Sequence, residues 1–97
     1  MEDPVRPLTL RIETPEGTAA EAACDEVRLE MPDGVDGTGG GHIGIRSGHE
    51  AAVLALTDGL VIAESDGQCV LRVRVRGGFA SVSNNAVTVL SDDAAPE

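Results

Sequence analysis

The sequence predicts an all-β chain folded as a flattened antiparallel β-sandwich. Alternating apolar and polar runs occur at 8–13, 27–31, 70–76 and 87–90, the two-residue period of half-buried strands. Turn residues recur about every eight to twelve positions, as sandwiches and barrels require. Helix-like patterns are short, and none reaches the length at which a helix stands without packing.

In chain order, Leu8, Leu10 and Ile12 alternate with Thr9, Arg11 and Glu13, and Pro15-Glu16-Gly17 closes that strand. Thr18-Ala-Ala-Glu21 fits a capping box and opens an Ala-rich stretch at 19–24, and Ser47-Gly-His-Glu50 does the same for 48–56. Sheet context overrides local propensity, and both stretches are expected to be extended. Val27, Leu29 and Met31 alternate with Arg28 and Glu30 up to Pro32-Asp33-Gly34. Glycines then dominate residues 34–44, which predicts a mobile loop because each costs backbone entropy with little apolar compensation. Leu60–Glu64 and Cys69–Arg76 flank Ser65-Asp66-Gly67-Gln68, where Asp-Gly is a strong hairpin signal. After Gly77-Gly78, residues 79–82 and 87–90 form a hairpin about Asn84-Asn85. The expected organisation is one domain over 1–97, with a core at 8–90, a flexible loop at 33–44 and a polar tail at 91–97.

Phe79 is the only aromatic residue, so the core must be built from Val, Leu, Ile and Ala. Such a core buries little area per side chain, and a partner covering more surface would help it. The net charge is −10, and all seven cations are arginine. That balance disfavours nucleic acid and anionic lipid, which need clustered cations. Without lysine there is no phosphate-loop lysine, Schiff base, or lipoyl or biotinyl attachment. No apolar run is long enough to span a bilayer, and no signal-peptide pattern opens the chain. The expectation is a soluble protein on the cytoplasmic side. Cys24 and Cys69 lack metal-ligand spacing and are read as two small buried thiols.

Several motifs invite chemistry. Gly39-x-Gly41-x-x-Gly44 matches a dinucleotide-binding expression, but no strand–helix context surrounds it. Asp33 and Asp36 lack the spacing of a calcium loop. His42 and His49 have no poised nucleophile beside them, so no cofactor, metal or catalytic role is expected. Arg72, Arg74 and Arg76 share one strand face, either a solvated surface or a ledge for an acidic partner.

Leu8-Thr-Leu-Arg-Ile-Glu-Thr-Pro-Glu-Gly17, Asp25-Glu-Val-Arg-Leu29, Gly41-His-Ile-Gly-Ile45, Gly48-His49, Gly59-Leu-Val61, Gly77-Gly-Phe-Ala-Ser-Val82, Asn85 and Val87-Thr-Val-Leu90 stand in the order found in a known domain. Together they resemble the N-terminal β-sandwich of the ATP synthase epsilon subunit over residues 8–94. The resemblance implies a non-catalytic rotor subunit that binds no nucleotide. It links the gamma subunit to the membrane c-ring and couples proton or sodium transport to ATP synthesis. It also implies a peripheral position on the cytoplasmic face of the inner membrane, without insertion. The c-ring contact would fall to Gly41, His42, Ile43, Gly44, Ile45, Gly48 and His49, with Ile43 and Ile45 burying apolar area. The gamma contact would fall to Arg72, Arg74, Arg76 and Phe79.

Three departures stand out. Residues 32–41 are longer and richer in glycine than the family loop. Ser47 and Glu50-Ala51-Ala52 replace Pro and Ala-Pro-Leu. The chain also ends where the family's two-helix arm begins, so that arm's ATP sensing and inhibition are not expected. Loop and missing arm suggest a divergent synthase or, equally, a chain cut before the helices. The alternative reading is an unrelated small β-sandwich that binds proteins on its own.

Overall fold

The computed structural model describes residues 7–30 and 41–97. Among these residues ten strands run in chain order: β1 (Leu8–Thr14), β2 (Gly17–Cys24), β3 (Glu26–Glu30), β4 (His42–Arg46), β5 (Ala52–Leu56), β6 (Gly59–Ser65), β7 (Gln68–Val75), β8 (Gly78–Ser83), β9 (Ala86–Leu90) and β10 (Ala94–Pro96). No helix occurs among the described residues. One sheet has the order β2-β1-β9-β8-β5 and the other β10-β7-β6-β3-β4. Every pairing is antiparallel except β1 with β9, which runs parallel from Thr9↔Ala86 to Glu13↔Leu90.

Alternation puts Leu8, Leu10, Ile12, Val27, Leu29, Val61, Val73, Val82, Val87 and Val89 between the sheets. Phe79 is left outside, so among the described residues the core holds nothing larger than leucine or isoleucine. Both capping-box stretches are extended: 19–24 lies in β2, and β5 occupies the end of 48–56. Partners explain this outcome. Residues 17–24 ladder onto β1, and Cys24 reaches the core while Ala20 packs against it. That pairing satisfies backbone groups a short exposed helix would leave at its ends.

The turns follow their sequence signals. Asp66 and Gly67 have φ of 54° and 76°, and Asn84 and Asn85 have 50° and 61°, the positive values tight hairpins need. Asp25 locks the first turn, its carboxylate accepting from the Asp66 amide at 2.8 Å. Gly78 is required for a different reason: at φ 112°, a Cβ there would run into the Leu90 carbonyl of β9.

Three expectations are corrected. The glycine-rich loop was placed at 33–44, but His42–Arg46 form a strand paired with β3. Ile43 and Ile45 anchor it by packing inward; the rest of the expected loop, 33–40, lies outside the described residues. The polar tail at 91–97 contains β10, which ladders onto β7 from Ala94↔Val75 to Pro96↔Val73. Ser91 is its hinge. The buried hydroxyl accepts from the Arg76 amide at 3.1 Å and lies within donating distance of the Arg76 and Asp93 carbonyls. Finally, Cys24 is buried but Cys69 is exposed near the start of β7.

Candidate functional site

The seven residues expected at the c-ring do not form one rim. β4 is an extended strand, so its five residues separate Gly41 from Ser47 by more than about 13 Å. Gly41 and His42 stand where β3 ends and β4 begins. Gly48 and His49 stand at the opposite end, beside the β8–β9 turn. There the Gly48 amide donates to Asn85 Oδ1 at 2.8 Å, and His49 Nδ1 donates to the Glu50 carbonyl at 2.7 Å. Ile43 and Ile45 point between the sheets. Ile45 is 0% exposed, so its side chain cannot bury area against a partner, because it already does so against the core.

The four residues expected at gamma are also divided. Arg72, Arg74 and Arg76 project from the outer face of the second sheet, whereas Phe79 projects from the outer face of the first. The sandwich therefore sets them on opposite sides. Around the arginines lies a lattice of charges. Arg28 approaches Glu26 at 3.2 Å and Glu64 at 3.4 Å, Arg46 reaches Glu26 at 2.8 Å, and His42 lies 3.7 Å from Glu30. Arg74 pairs with Glu97 at 3.2 Å. The hydrogen bond between these two raises the Arg74 pKa and holds the Glu97 carboxyl below the usual range. Much of this charge is answered within the face itself, which makes it costly to strip of water.

The outer face of the first sheet is different. Register aligns Ala55, Phe79, Leu90 and Glu13 in one cross-strand row. Val53 stands on the same face one row away, opposite Ser81. Val53 is 73% exposed, Phe79 58% and Leu90 53%. At the Glu13 end the row opens into a cleft of about 600 Å³ between Glu13–Pro15, Gly78–Phe79 and Leu90–Asp92. Apolar walls with carboxylates at the rim suit a Lys or Arg side chain, which lays down its stem and keeps its head hydrated. Sequence reasoning singled out Phe79 but missed Val53 and Leu90. Parity could have found Leu90, since Val87 and Val89 turn inward and leave position 90 outside.

Other chemistry has little to build on. Among the described residues no group of three or more His, Cys, Asp and Glu side chains converges to hold a metal. Burial pushes the Cys24 thiol up, with the Asp25 charge adding to it, which makes that thiol a poor nucleophile at neutral pH.

Residues 7–97 match the family described as the ATP synthase delta/epsilon chain, β-sandwich domain. The chain is 37% identical over 83 residues to the ATP synthase epsilon chain of Synechococcus sp. (strain JA-2-3B'a(2-13)), covering 86% of this chain and 55% of that one. It is 33% identical over 89 residues to that of Desulfitobacterium hafniense (strain DSM 10664 / DCB-2), covering 92% and 61%. It thus spans little more than half the length of these relatives. Among solved structures, a chain of the Euglena gracilis mitochondrial ATP synthase (OSCP/F1/c-ring) superposes with a TM-score of 0.75 at 19% identity, over 99% of this chain and 57% of that one. A chain of the Tetrahymena thermophila mitochondrial ATP synthase central stalk and c-ring gives 0.67 at 12%, over 95% and 68%.

Proposed function

Because the chain belongs to the ATP synthase delta/epsilon β-sandwich family, we propose that it is a non-catalytic central-stalk subunit of a rotary ATP synthase. That membership removes the alternative of an unrelated binding module. In this reading the domain holds the gamma subunit and meets the c-ring, and it couples proton or sodium flow to ATP synthesis. It works peripherally at the cytoplasmic face of the inner membrane.

One observation carries the assignment of the gamma surface. The chain's only aromatic residue, Phe79, stands outside the core in a row with Leu90 and Ala55. A large aromatic flanked by apolar neighbours on a sheet face is cheap to desolvate and marks a contact surface. The charge lattice on the opposite face, Arg74 included, is the solvated side, with Arg72 exposed next to it. Of the expected ring contacts, Gly41 and His42 stay together at the end of the sandwich where β3 stops. The ring is assigned to that end, and Gly48 and His49 to the end away from it.

Co-purification with a co-expressed gamma-type subunit tests the reading. The wild-type chain should be retained and Phe79→Asp should not be, although it folds. A cysteine placed by His42→Cys should cross-link to the ring in the assembled enzyme, and one placed by Gly48→Cys should not. Failure of the wild-type chain to bind gamma would overturn the rotor role. Cross-linking from Gly48→Cys alone would overturn the orientation.

A further inference from the structure

The four sheet edges differ in how they are protected. Exposed edges invite pairing with another chain, and proteins blunt them with charges, prolines, bulges or very short strands. β2 carries Glu21, paired with Arg11 at 2.9 Å, and its register shifts at Ile12/Glu13. β10 has three residues and ends on Pro96. β4 places His42 and Arg46 at its two ends. β5, Ala-Val-Leu-Ala-Leu, has none of these devices. It pairs with β8 over Ala52–Leu56 without a register shift, and β8 itself carries no charge. Among the described residues its other edge pairs with no strand.

The geometry points to β5 as a strand-addition site for an extended, basic segment of a partner protein. Backbone pairing would supply the ladder, and Val53 and Ala55, exposed on the outer face, would take alternate apolar side chains of the added strand. Charge chooses the occupant. The strand is bracketed by exposed Glu50 and Asp58, and the whole chain carries −10. A five-residue ladder is short, so its ends decide the affinity. Lysine or arginine flanks find a carboxylate at each end, whereas a second copy of this chain brings further acid against acid. The inference does not rest on the rotor reading: it shares Ala55 with the row that holds Phe79, but it is tested without gamma, so its failure and the failure of that reading stay distinguishable.

The test uses the 97-residue chain and a synthetic peptide of alternating valine and threonine with paired lysines at both ends. Amide chemical shifts and hydrogen exchange are followed during titration. The expected result is saturable shifts and new protection centred on residues 52–56. Val53→Lys, at an exposed position that should fold normally, should weaken binding about tenfold or more, a change of about 1.4 kcal/mol. Val70→Lys, on the other sheet, should leave it unchanged. A peptide methylated on alternate amides, or one flanked by glutamates, should bind at least about tenfold more weakly. Equal binding by the methylated peptide, shifts centred on β4 or β2, or no binding at all would overturn the proposal. So would concentration-dependent protection of β5 without peptide, which would make a second copy the occupant.

Discussion

The two outer faces of this sandwich are made by the same alternation yet offer opposite things to a partner. On the β7-β6-β3-β4 side, positions facing out hold Arg74, Arg28 and Arg46, ion-paired to Glu97, Glu26 and Glu64, with Arg72 exposed beside them. On the β9-β8-β5 side they hold Leu90, Phe79, Ala55 and Val53. Charges that already answer one another gain little from a partner and must lose water to meet it. Exposed apolar groups gain from any surface that removes them from water. The density of cations along β7 is therefore a poorer guide to docking than the lone aromatic on β8.

Substitutions can break or sharpen this contrast. The largest effect should come from Phe79→Asp, lowering gamma affinity on the order of a hundredfold, about 2.7 kcal/mol. Its unfolding free energy in urea should change by less than about 0.5 kcal/mol, because the side chain is outside the core. Next is Ser91→Ala at the seam between the sheets. It removes the hydroxyl's bonds to the Arg76 and Asp93 carbonyls and leaves the Arg76 amide only its bond to the Asp93 carbonyl, and should cost about 1 kcal/mol in urea unfolding without touching gamma binding. Arg28→Ala removes contacts to two glutamates on the charged face. Arg28 itself is half-exposed, although its two partners are more covered, so the change should cost about 1 kcal/mol and leave assembly intact.

The smallest effect is a pH dependence at β10. The Glu97 carboxyl is depressed by Arg74. Its contribution is therefore fully present above the ordinary carboxylate pKa and is lost as pH falls through the lowered value. Both groups are exposed, so the change belongs to β10 docking and not to global unfolding. Protection factors of the β10 amides, including that of Glu97, which donates to the Arg72 carbonyl, should fall on acidification, and Glu97→Gln should remove that acid response.

Much of the sandwich was legible because strand parity is a local property. Leu8/Leu10/Ile12 and Val87/Val89 announce their inward faces, and Asp66-Gly67 and Asn84-Asn85 announce their turns. The parallel contact of β1 with β9 was not legible, since it joins residues from opposite ends of the chain. β10 hid inside a polar tail because what holds it is backbone pairing and one serine. The candidate contacts were read less well for the same reason. Gly41–His49 is continuous in sequence and looked like one loop, but Ile43 and Ile45 turn it into a strand that carries its ends apart. Arg72–Arg76 and Phe79 are neighbours in sequence, and the chain changes sheets at Gly77-Gly78 between them.

The most direct test of the account compares two single cysteines in a Cys69→Ser background, one at Phe79→Cys and one at Arg72→Cys. Their alkylation rates are measured in the free chain and in the complex with gamma. The account predicts that the cysteine at position 79 becomes shielded on assembly while the one at 72 keeps its free rate. Shielding at 72 with full reactivity at 79 would contradict it and give the charged face to gamma instead.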